Sequence, residues 1–145
     1  MRSSVFRSLT LALLAFSGPG TAQESAKDMA TCQSAPDHAL QRQCMSRVVE
    51  ETMKEVAIAE QRVRQAIAKW DEDREWKGRS LGLFEKAIRS FREFQSSSCD
   101  AEASAAAGGN AAGDLRLGCE YRLAVLRLRE LAELAQRFDG RAINR

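Results

Sequence analysis

Histidine occurs once in the 145 residues, so no site in this chain can rest on two imidazoles. Proline occurs twice, and with abundant Ala, Leu, Glu and Arg that scarcity leans the chain towards helix. A surplus of one charge is also missing, with Lys+Arg 22 against Asp+Glu 20. The two surplus bases, Arg2 and Arg7, fall within residues 1–22. Residues 23–145 are neutral, which argues against bulk nucleic-acid binding, because that draws its affinity from many Lys/Arg–phosphate contacts. Cys-x-x-Cys is absent, which removes a thioredoxin-like redox pair and, with it, covalent haem attachment. Long apolar runs are absent too. The longest, from Leu9 to Phe16, falls far short of the roughly 20 residues that cross a bilayer core.

That run has another meaning. A basic start, the apolar run, a Gly18-Pro19-Gly20 break and the small residues Gly20-Thr21-Ala22 before Gln23 read as a secretory signal over residues 1–22, cleaved before Gln23. No cysteine lies at the cut, so a lipid anchor is not expected. The mature chain would begin at residue 23 and occupy the periplasm or the medium, as a soluble protein in an oxidising compartment.

Four cysteines remain: Cys32, Cys44, Cys99 and Cys119. An even count in a small exported protein predicts two disulfides. Their spacing fits no zinc-ribbon pattern, so neither metal nor cofactor is expected.

Residues 23–36 are polar and predict an irregular lead-in. Asp37 is a natural N-cap for a helix running to about Glu75, with Val49, Val56, Val63 and Trp70 recurring every seven residues. Thr52, Ala59 and Ala66 add small residues to this heptad face, and Met53 and Ile67 widen the stripe, which suits close packing or dimerisation. Acidic and basic residues at 71–75, then Gly78, predict its end. A second helix is expected from about Ser80, with Leu81, Phe84, Ile88, Phe91 and Phe94 on its buried face. It should fray through the Ala-rich stretch and stop at Gly108-Gly109-Asn110. A third helix is expected from about Asp114 to Asp139-Gly140, burying Leu117, Tyr121, Ala124, Leu128, Leu131, Ala135 and Phe138. The fold class is therefore all-α: a three-helix antiparallel bundle over residues 37–139, with residues 140–145 as a tail.

That geometry selects among the three possible disulfide pairings. With helices 1 and 2 antiparallel about a turn near residues 76–80, Cys99 lies level with residue 57 or so. Cys44 is then about 20 Å away along the axis, where a disulfide tolerates roughly 7 Å between Cα atoms. Local pairs are expected: Cys32–Cys44 and Cys99–Cys119.

Few side chains carry a chemical signal. His38 reads as a surface residue. The acids Glu50, Glu51 and Glu55, and those at 71–75, lack the cleft that paired glycosidase carboxylates need. Trp70 belongs to the apolar stripe. Trp76 lies off it and is a candidate anchor for a partner. Arg122, Arg127 and Arg129 have Glu120, Glu130 and Glu133 within three or four residues, a spacing that predicts ion pairs on the helix surface.

The cysteine spacing, Phe91 and Phe94 ahead of Cys99, Gly108-Gly109 before Cys119, and then Leu123, Arg127 and Leu131 resemble the lysozyme-inhibitor LprI-like N-terminal domain family, small exported bacterial helical domains with four cysteines. The resemblance implies a non-enzymatic domain that acts by protein–protein contact, with lysozyme or another cell-wall hydrolase as partner. Trp76 and the loop at Gly108, Gly109 and Asn110 are the candidate contact residues. The alternative expectation is a structural module of the bacterial envelope that dimerises, or joins a complex, through the heptad face of helix 1.

Overall fold

The computed structural model describes residues 29–140, so the expected leader at 1–22 and residues 141–145 of the tail lie outside the described residues. Every regular element among the described residues is helical. Three are long: α1 (His38–Lys69), α2 (Arg74–Ser104) and α3 (Ala111–Phe138). Residues 29–32 are helical as well, where an irregular lead-in was expected. Tertiary contact anchors this segment. Met29 and Cys32 pack with Val48, Val49 and Tyr121, and Cys32 is bonded to Cys44, Cα to Cα 5.5 Å.

Asp37 caps α1, its Oδ1 accepting the Leu40 N–H at 2.8 Å. The helix ends at Lys69 rather than near Glu75 because a second aspartate starts the next one. Asp73 Oδ1 accepts the Trp76 N–H at 2.9 Å, so α2 begins at Arg74 instead of Ser80 and takes Gly78 into its first turns. The α3 helix begins at Ala111, ahead of Asp114.

Cross-helix contacts fix the directions. Arg64 meets Glu85, and Met53 Sδ lies against Gln95, so α2 runs antiparallel to α1. The Cys99–Cys119 bond and the Phe91–Arg127 stack set α2 antiparallel to α3. The α1 and α3 helices are parallel, from the His38–Asp114 contact at one end to the Trp70–Phe138 ring pair at the other. The packing is uneven: the α3 backbone lies close against both neighbours, whereas α1 and α2 stand further apart and meet mainly through long side chains.

One core holds Val56, Val63 and Ile67 of α1, Phe84 and Ile88 of α2, and Ala124 and Leu131 of α3. The heptad face of α1 is therefore inside the protein: Val49, Val56 and Val63 are all buried. It is not available for dimerisation. On α2 the expected buried face is only partly right. Phe84 and Ile88 are buried, but Leu81 and Phe94 are exposed. The reason is the disulfide at Cys99. Its bond to Cys119 turns the inner face of α2 through Gln95 and Cys99, and Phe94, one residue away from Gln95, points outwards.

Candidate functional site

Between α1 and α3 runs a groove of about 420 Å³. Ile58 and Ala59 of α1 face Leu128, Leu131, Ala132 and Ala135 of α3 across it, and α2 contributes no lining residue. The alanines keep the floor open and apolar, and Ile58 is 54% exposed beside it. Four charges form the rim. Along α1 they run acid then base (Glu55, Arg62), and along α3 base then acid (Arg129, Glu133). This surface is not legible from the heptad, because Ile58 lies off the stripe and the period of helix 3 places Leu128 in the core. Its one signal is an isoleucine whose helical neighbours three and four residues away are Lys54, Glu55, Gln61 and Arg62.

The candidate contact loop at Gly108, Gly109 and Asn110 is tethered. It is short, running from Ala105 to Asn110, with positive φ at Ala107 (48°) and Gly108 (78°). Arg42 Nη2 donates to the Asn110 carbonyl at 2.5 Å. Asp114, expected at the start of helix 3, lies in the first turn of α3 and accepts from His38 Nε2 at 2.6 Å and from Arg42 Nε at 3.0 Å. These bonds hold the Asp114 carboxyl below its ordinary pKa, His38 contributing most, with burial opposing. Gly113 makes room for this contact: a Cβ there would lie 3.3 Å from Arg42 Cζ. His38, expected on the surface, is half exposed and engaged by Asp114.

Trp76 is 49% exposed, with the Arg79 guanidinium 5.4 Å from its ring centroid. It stands near the start of α2, whereas Gly108, Gly109 and Asn110 follow its end. At 1.5 Å per residue the two lie roughly 40 Å apart. They do not form one contact surface.

Of the arginines on α3, Arg127 pairs with Glu130 at 3.4 Å as the spacing predicts. Arg122 instead reaches across to Glu102 of α2 at 2.6 Å. Arg127 is nearly buried and stacks on Phe91 at 5.1 Å, its Nε and Nη2 without a hydrogen-bond partner among the described residues. Sequence reasoning missed Glu60, a buried carboxylate between the stripe positions Met53 and Ile67, whose ion partner is Arg92 at 3.5 Å. It also missed the bidentate Arg64–Glu85 link, 2.6 and 3.2 Å, which holds the Glu85 carboxyl below the usual range. Glu50 is engaged by Lys54 at 2.7 Å on the open surface, as a solvated helix face would be.

No family model, curated protein or solved structure matches this chain. Among the described residues, no three His, Cys, Asp or Glu side chains are grouped to hold a metal ion, and no helix is long and apolar enough to cross a membrane. Both cysteine pairs are bonded, Cys32–Cys44 and Cys99–Cys119, which suits an oxidising, extracellular environment.

Proposed function

We propose that this is an exported, non-catalytic binding domain that acts by protein–protein contact through the α1/α3 groove. Residues 1–22 serve as a cleaved leader, and the mature chain occupies the periplasm or the medium. Its architecture is a three-helix antiparallel bundle, with the 29–32 segment stapled to it as an appendage. The groove carries the reading: an apolar floor with an exposed isoleucine inside a charged rim has the make-up of a protein contact, an apolar centre surrounded by polar residues. The likeness to the LprI-like family makes lysozyme, or another cell-wall hydrolase, the first partner to test. The alternative role in envelope assembly requires a face other than the heptad of α1. A photo-activated cross-linker placed at Ile58 of the exported protein should capture a different envelope protein. Capture of nothing, or only of a second copy, would sink this reading.

A further inference from the structure

The outer face of α2 carries a second heptad. Leu83, Ala87, Ser90, Phe94, Ser97 and Ala101 follow one another at alternating steps of four and three residues, and all are exposed. Ser80 and Trp76 continue the same row backwards. No charged residue interrupts it, although α2 carries charges on its other faces. Leu83 is 61% exposed, Phe94 54% and Trp76 49%, which places three large apolar side chains along one line in water. A row at this spacing has the period of a coiled-coil seam. Nothing among the described residues covers it, since α2 uses the Phe84–Ile88–Gln95–Cys99 face to meet its neighbours.

The flanking charges name the occupant. One edge of the row is Arg79, Lys86, Glu93 and Asp100, a step of seven each time. The first two are basic and the last two acidic, placed symmetrically about the midpoint between Arg89 and Ser90. A copy of α2 lying antiparallel across the row would bring Arg79 opposite Asp100 and Lys86 opposite Glu93, twice each by symmetry. A parallel copy would set this edge against the other one, beside Phe84, Phe91 and Ser98, and pair none of these charges. In the antiparallel register the large side chains also meet suitable partners. Leu83 falls opposite Phe94, Trp76 opposite Ala101, and Ala87 opposite Ser90 at the centre, where small residues let the helices approach. The Ser97 hydroxyl is already bonded to the Glu93 and Phe94 carbonyls at 2.9 and 3.1 Å, so covering it leaves no orphan donor.

We propose that this face binds a second copy of the same chain, forming an isologous antiparallel α2–α2 dimer. It is independent of the α1/α3 groove, which the dimer leaves open on both copies.

The test is the solution mass of the full exported protein with both disulfides formed, by size exclusion with light scattering at about 100 µM, since dimers dissociate on dilution. The expected mass is twice that of the monomer. Phe94→Lys should weaken the dimer by about tenfold or more while helicity stays unchanged. Lys86→Glu should weaken it too, and the double variant K86E/E93K should restore it, because the swap re-forms the same pairs in reverse. A monomeric wild type would overturn the proposal, as would a dimer that withstands Phe94→Lys. Failure of the double variant to restore association would overturn the antiparallel register. A dimer broken by Ile58→Asp and not by Phe94→Lys would move the self-contact to the groove and also count against this face.

Discussion

Asp114 Oδ1, in the first turn of α3, accepts a hydrogen bond from Arg42 Nε of α1 at 3.0 Å. With His38 on the other carboxylate oxygen, the bond clamps the parallel ends of α1 and α3 and holds the loop before them. The Asp114 carboxyl is depressed below its ordinary 3.8, so this contact favours the charged form in the folded state. Its stabilising share is complete above pH 3.8 and is lost as the pH falls through the lower folded value. Asp114→Asn should lower the urea midpoint at neutral pH, and the gap to wild type should close in acid. A gap that stays constant down to the most acid pH would contradict the clamp.

Gly113 tests the same contact by shape. A Cβ at this position would crowd the Arg42 guanidinium. Gly113→Ala should therefore raise hydrogen exchange in residues 105–110, although alanine favours helix by about 1 kcal/mol over glycine. A variant more stable than wild type with unchanged loop protection would show that Arg42 moves aside freely.

The disulfides close short loops at opposite parts of one end of the bundle. Cys32–Cys44 holds the 29–32 segment, and Cys99–Cys119 sets the rotation of α2. The oxidised protein should weigh about 4 Da less than the reduced one, two hydrogens for each bond. Peptide mapping should recover those two linked pairs. Removing the second pair by Cys99→Ala/Cys119→Ala should cost about 3 kcal/mol in chemical denaturation. Recovery of a Cys44–Cys99 peptide would contradict the helix register.

Leu131 is 1% exposed and shares the core with Val56 and Ile88. Leu131→Ala should cost about 2–5 kcal/mol through lost burial and the cavity left behind. Arg129, two residues away on the groove rim and exposed, should tolerate alanine within about 0.5 kcal/mol. Equal losses in urea titrations would mean that the inner face of α3 is misassigned.

Periodicity made most of the core legible, because the apolar spacing of α1 and α3 is set by burial itself. It failed at element ends. Asp73 was hidden within a run of charges, and a run of acids and bases looks the same whether it ends a helix or caps the next. It failed again at Phe94, since an aromatic residue three positions from Phe91 fits either face of α2, and only the Cys99–Cys119 bond decides which face turns inwards. The groove stayed hidden for a different reason. It depends on which two helices lie parallel and adjacent, information that resides in the tertiary contacts and not in any one segment. Glu60 marks the same limit: its place between Met53 and Ile67 is regular, but an acid on an apolar stripe acquires a partner only when Arg92 of α2 arrives.

Inhibition of lysozyme is the sharpest test of the groove. Purified mature protein should slow the lysis of cell-wall substrate in a saturable, dose-dependent way. The neutral charge of residues 23–145 predicts association that depends only weakly on salt, because steering by net charge is small. Affinity would come instead from the apolar centre of the groove. Ile58→Asp should then abolish inhibition with the helical signal intact, since a carboxylate on the apolar floor would be desolvated without a partner. Trp76 and the loop stand roughly 40 Å apart along α2, so Trp76→Ala and a bulky charged substitution at Gly109 can be read separately. If the groove is the contact, neither should matter as much as Ile58. Loss of inhibition only with the Gly109 variant would place the contact at the tethered loop, and an absence of inhibition at high micromolar concentration would remove lysozyme as the partner.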